Sequence, residues 1–114
     1  FSVRKGEFLG TLTLNSTANY EFNGISAQVT SAFATTPTTN TVNNLTINNS
    51  TGVTLSNDLN ATNALNMTSG MVNANTNNRT ITLGTSAVST GTLNYTSGVI
   101  VGKFKRWVAA SATG

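Results

Sequence analysis

The residues able to do acid–base or nucleophilic chemistry are few. Three carboxylates occur, Glu7, Glu21 and Asp58, and there is no His and no Cys. Without imidazole or thiolate, zinc sites of the usual kind and disulfide frameworks are excluded. A glycosidase needs two carboxyl groups facing each other across the scissile bond. Glu7 and Glu21 would meet that requirement only by an accident of folding, and solvated charges at strand ends are the simpler reading. The single Asp cannot supply the acidic calcium cluster of a β-helical polysaccharide lyase. Serine is plentiful, but no His accompanies it, and neither a Gly-x-Ser-x-Gly elbow nor a phosphate-cradling loop is present. The chain is therefore expected not to be an enzyme, with no catalytic, cofactor-binding or metal-binding residues and no cofactor.

The basic residues gather toward the two ends: Arg4 and Lys5, then Lys103, Lys105 and Arg106 beside Phe104 and Trp107. A basic–aromatic stretch suits single-stranded nucleic acid or a polyanionic glycan. The net charge of +3 is too small for a dominant phosphate-binding face, so no nucleic-acid partner is expected. The expectation is that Phe104, Trp107 and Val108 pack, while the charges face solvent and discourage edge-to-edge pairing of a late strand.

The elements that would position these groups are strands. Of 114 residues, 22 are Thr, 17 Asn and 11 Ser, and only 8% are charged. Asn and Ser disfavour helix, because their side chains compete for the local backbone, whereas Thr suits a pleated surface. Disorder pairs low hydrophobicity with high net charge; here 38% of residues are apolar and they sit in short alternating runs, so the chain is expected to fold. Leu12 and Leu14 alternate with Thr11 and Thr13. The same period of two recurs at Leu45-Thr46-Ile47, Val53-Thr54-Leu55, Leu65-Asn66-Met67, Ile81-Thr82-Leu83 and Leu93-Asn94-Tyr95. Turn formers separate these runs: Asn23-Gly24, residues 48–52, Ser69-Gly70, Asn77-Asn78 and Ser97-Gly98. The alternation predicts that the first, apolar-bearing face points inward: Leu12, Leu14, Leu45, Ile47, Val53, Leu55, Leu65, Met67, Ile81, Leu83 and Leu93.

Internal repetition selects the architecture. Leu65-Asn66-Met67-Thr68-Ser69-Gly70 returns 28 residues later as Leu93-Asn94-Tyr95-Thr96-Ser97-Gly98, and residues 43–47 resemble residues 77–81 at an offset of 34. Unequal offsets suit coils with variable turns, whereas sandwiches seldom repeat a strand–turn–strand unit within one domain. The fold class expected is all-β, a parallel β-solenoid (β-helix), with a β-sandwich as the alternative. One module over 1–114 is expected: N-terminal strands in 1–33, a polar loop in 34–41 around the sole proline, Pro37, and repeat coils in 42–114. Stacked coils let Asn side chains form hydrogen-bonded ladders, and Asn tolerates the left-handed backbone of tight corners. Asn44, Asn49 and Asn78 are expected either as ladder members or as solvated turn residues. The eight Asn-x-Ser/Thr sequons, at Asn15, Asn44, Asn48, Asn49, Asn60, Asn66, Asn78 and Asn94, follow from composition alone.

No run approaches the roughly 18 apolar residues of a spanning helix, so no membrane insertion is expected. The chain opens at Phe1 without a charged and apolar leader, as expected of a processed protein or a segment of a longer one.

Several stretches resemble one known module. They are Tyr20-Glu21-Phe22-Asn23-Gly24, Ala27-Gln28-Val29-Thr30, residues 42–56, residues 64–70, Ile81-Thr82-Leu83-Gly84, and residues 98–106. Together, over roughly residues 9–108, they are similar to a repeat of the Asn/Thr-rich, adhesin-like surface proteins of Bacteroidetes-type bacteria, many exported by the type IX pathway. The resemblance implies a secreted β-solenoid stalk module at the cell surface, with no catalytic residues to carry over. The family segment runs on past the Arg into another strand, whereas this chain stops at Gly114, which implies one unit of a longer or polymeric array. The expected function is a structural or adhesive unit of an extracellular stalk, surface protein or filament that acts by shape and self-association. Its expected partners are further copies or neighbouring modules stacked end to end, with a cell-surface glycan also possible. The alternative is a module that binds an ordered surface, glycan or ice, through Thr-bearing faces such as Thr11-Leu12-Thr13 and Thr80-Ile81-Thr82.

Overall fold

The computed structural model describes residues 2–3, 17–30 and 39–110. Nine strands occur among them: β1 (Ser2–Val3), β2 (Asn19–Phe22), β3 (Gln28–Val29), β4 (Thr39–Thr54), β5 (Asp58–Asn73), β6 (Thr80–Leu83), β7 (Thr92–Tyr95), β8 (Val99–Val101) and β9 (Lys103–Arg106). Every pairing between named strands is parallel. The chain winds through about three turns of a β-solenoid, and the sandwich alternative is set aside.

Three strips of parallel strands make the walls. The first stacks the starts of β4 and β5, then β6 and β9; the second stacks β1, β2, the middles of β4 and β5, and β7; the third stacks β3, the ends of β4 and β5, and β8. β4 and β5 each cross all three strips as a single 16-residue strand. Separate short strands had been expected there. Register irregularities between Val42 and Asn44, Ile47 and Asn48, and Asn49 and Val53 bend these strands around the corners, so strand hydrogen bonding continues through the bends.

The core is a set of vertical columns, because in-register parallel stacking puts like positions above one another. On the second strip Tyr20, Leu45, Leu65 and Leu93 form one column, and Phe22, Ile47, Met67 and Tyr95 another. On the first strip Leu59, Ile81 and Phe104 align, as do Val42, Ala61 and Leu83. Leu45, Ile47, Val53, Leu55, Leu65, Met67, Ile81 and Leu83 are buried as the alternation predicts, and Leu93 is half-buried against the same cluster. Leu12 and Leu14 lie outside the described residues.

The 28-residue repeat is a true coil repeat, since Leu65 stacks on Leu93, Asn66 on Asn94 and Met67 on Tyr95. The shared glycines follow from the geometry. Gly70 and Gly98 have φ of +89° and +105°, and a Cβ at Gly98 would collide with the Gly70 carbonyl oxygen, as one at Gly70 would with that of Asn49. The 34-residue resemblance, by contrast, is not a stacking relation: Ile47 sits on Met67 in the second strip, while its counterpart Ile81 sits on Leu59 in the first. Corner length is the reason. Residues 62–63 link the first two strips in one coil, and residues 84–91 link them in the next.

The boundaries also shift. β4 begins at Thr39, inside the segment expected to be a polar loop over 34–41, and residues 34–38 lie outside the described residues. β2 and β3 pair in register with β4, so the described part of the N-terminal strands is a coil of the same solenoid.

An acid placed in a column would be an unpaired charge with apolar groups above and below. Leu65→Asp and Ile81→Asp are each expected to cost more than about 4 kcal/mol and abolish cooperative folding. Circular dichroism melting checks this, and near-normal stability in either variant would overturn the column assignment.

Candidate functional site

The described carboxylates are spent on the scaffold. Glu21 accepts a hydrogen bond from Asn48 Nδ2 at 3.2 Å, and Asp58 Oδ1 accepts one from the Thr80 amide at 2.9 Å. They occupy different strips, with β4 lying between their coils. Glu7 lies outside the described residues. No cluster of three or more His, Cys, Asp or Glu exists among the described residues. No helix there is long and apolar enough to cross a membrane.

Asn and Thr side chains tie one coil to the next. Asn43 donates to Asn19 at 2.9 Å, Asn63 to Asn44 at 2.7 Å, and Asn94 to Asn66 at 2.8 Å, while Asn66 donates to Thr46 at 3.0 Å. Asn48 links Glu21 to Ser69, whose hydroxyl donates to Asn48 Oδ1 at 3.1 Å. Asn49 is buried, and its amide donates to the Ser26 carbonyl at 2.8 Å and to Gln28 Oε1 at 2.9 Å, while Asn49 Oδ1 accepts from the Thr51 amide. Of the three candidate ladder residues, Asn44 and Asn49 thus make cross-coil bonds. Asn78 takes the left-handed corner, with φ of 52°, and accepts from Lys103 Nζ at 2.7 Å.

These bonds share one direction: the donor lies on the later coil and the acceptor on the earlier. Asn77 donating to the Leu55 carbonyl and Thr62 to the Val42 carbonyl follow the same rule. The sense is obligatory where Glu21, a carboxylate, accepts and where Lys103, an ammonium, donates. On the last described coil, Asn94 Oδ1 accepts no hydrogen bond from a described residue.

The same coil leaves the core uncovered. β7, β8 and β9 each pair on one side only among the described residues. Leu93, Ile100 and Phe104 are half-buried, and Tyr95 is 65% exposed at the column position where Met67 is 1% exposed. Trp107 and Val108, expected to pack, are 45% and 70% exposed. They lie past β9, where no described residue stacks over them. Arg106 stands at the inward position above Leu83, so a charge ends that column.

The Thr-bearing faces do not form an array. Thr80 stacks on Lys103 and its amide donates to Asp58, and Thr82 stacks between Asn60 and Lys105. Thr11 and Thr13 lie outside the described residues.

Compared with models of protein families, with curated proteins and with solved structures, the chain matches none.

The buried Asn49 and the exposed Asn94 should separate sharply. Asn49→Ala removes three hydrogen bonds at a buried position, those to the Ser26 carbonyl and Gln28 Oε1 and the one from the Thr51 amide, and is expected to cost about 2–3 kcal/mol, whereas Asn94→Ala is expected to cost under about 1 kcal/mol. Urea unfolding of both variants measures the difference, and equal costs would contradict the roles assigned to them.

Proposed function

We propose that this chain is a structural, adhesive unit of an extracellular bacterial stalk, surface protein or filament, working by shape and self-association and not by catalysis. The observation that carries the reading is the open last coil. Among the described residues, β7, β8 and β9 offer unpaired backbone edges beside half-covered Leu93, Ile100 and Phe104 and exposed Tyr95. An edge of this kind is a template for a further parallel strand. Solenoids without a polar cap gain by stacking a like unit, and a head-to-tail contact that does not close produces a fibre. The occupant best matched to it is another copy or a neighbouring module of like build, whose coil extends the columns and donates to Asn94 Oδ1. The resemblance to adhesin-like surface repeats supports the same placement outside the cell.

Sedimentation and electron microscopy across a concentration series test this reading. Elongated oligomers growing end to end are expected, and Leu93→Lys or Tyr95→Lys should weaken association about tenfold or more, as for loss of an apolar anchor. A strictly monomeric particle at high concentration would overturn it.

A further inference from the structure

At the lip of the last coil, Thr82, Lys105, Arg106 and Trp107 line an open groove of about 400 Å³. Alternation along β9 sets its shape. Lys105 stacks over Thr82 on the outer wall, and Arg106 stacks over Leu83 at the inward position, so the two cations approach from the outside and from the end. The Trp107 amide donates to the Leu83 carbonyl at 3.1 Å, which holds the backbone beside both while the indole stays 45% exposed.

The charges are unspent. The side chains of Lys105 and Arg106 make no ion pair or hydrogen bond with a described residue, unlike Lys103, which donates to Asn78. The two described carboxylates, Glu21 and Asp58, are hydrogen-bonded elsewhere. A guanidinium fork, an ammonium and an aromatic face around one groove match a ring with one apolar face and an attached anion.

We propose that this groove binds an acidic or sulfated sugar residue of an anionic polysaccharide. The anion lies between Arg106 and Lys105, and the sugar ring lies against Trp107 with a hydroxyl toward Thr82. Single-stranded nucleic acid fits less well, since it calls for successive aromatic platforms and a long cationic track. The groove has one indole and two cations. The proposal does not rest on end-to-end stacking and is tested at a dilution where the protein is monomeric by sedimentation.

The experiment is titration of the chain with polygalacturonate and with dextran sulfate, using dextran as the neutral control and oligothymidylate as the nucleic-acid control. Binding to the two anionic glycans is expected, weakening with added salt. Lys105→Gln and Arg106→Gln should each reduce it about tenfold, as for loss of a charge-assisted hydrogen bond. Trp107→Ala should reduce it with the salt dependence unchanged. Lys103→Gln removes the same charge from the same strand outside the groove and should have a much smaller effect. These side chains are exposed, and matching melting curves confirm that the variants fold. Equal losses for Lys103→Gln and Lys105→Gln, binding that survives Lys105→Gln/Arg106→Gln, no binding, or tighter binding of oligothymidylate would each overturn the proposal.

Discussion

Each apolar side chain in the middle of this solenoid is covered above and below by the chain itself, one coil away. Leu65 lies between Leu45 and Leu93, and Met67 between Ile47 and Tyr95. Burying a side chain of this size is worth about 1.5–3 kcal/mol, but only when both neighbours are present. A coil alone has a narrow interior and two open ends, so it gains most of its burial from the next coil. The same constraint that holds β4 and β5 together therefore leaves β7, β8 and β9, paired on one side only among the described residues, with less burial. Exposure of Tyr95 and half-burial of Leu93, Ile100 and Phe104 are the direct consequence.

Strand spacing also governs the polar residues. Parallel strands repeat at about 4.8 Å, which brings amide side chains at like positions within hydrogen-bonding reach. Asn66 and Asn94 use this spacing on the outer wall, and at a buried corner Asn49 reaches back to Gln28 on the previous coil. The common direction of these bonds gives the solenoid a polarity that the backbone ladders lack. Later coils donate and earlier coils accept in these bonds, so a coil stacked on the last described one would meet side-chain acceptors there. Beside that end, Lys105, Arg106 and Trp107 give the molecule its one unspent concentration of cationic charge among the described residues.

Much of this was legible in the sequence, and the failures are specific. Period-two alternation found the inward residues from Leu45 to Leu83, because a half-buried strand forces it. The Leu-Asn-x-Thr-Ser-Gly repeat found a true stacking pair, since apolar column, amide ladder and positive-φ glycine all act on the same positions. Residues 43–47 and 77–81 share only a polar–apolar strand start, and that chemistry fits any strip. Val42 and Val72 escaped the expected core because they lie beside bends of β4 and β5, and Leu59 because its inward neighbour along the strand is the small Ala61, which gives a weak alternating signal. Trp107 and Val108 were assigned to packing by their hydrophobicity, which does not reveal whether another coil follows. The basic–aromatic composition of residues 103–107 was visible, but that Lys105, Arg106 and Trp107 share one groove depends on how β9 stacks on β6.

The central claim is that coverage by neighbouring coils sets stability and that one end lacks it. Native-state hydrogen exchange, read strand by strand at low and high protein concentration, tests this most directly. In the dilute monomer, amides of β4 and β5 should exchange only through global unfolding, while those of β7, β8 and β9 exchange faster through local fraying. At high concentration the β7, β8 and β9 amides should become protected. Uniform protection in the dilute monomer, unchanged by concentration, would contradict the account.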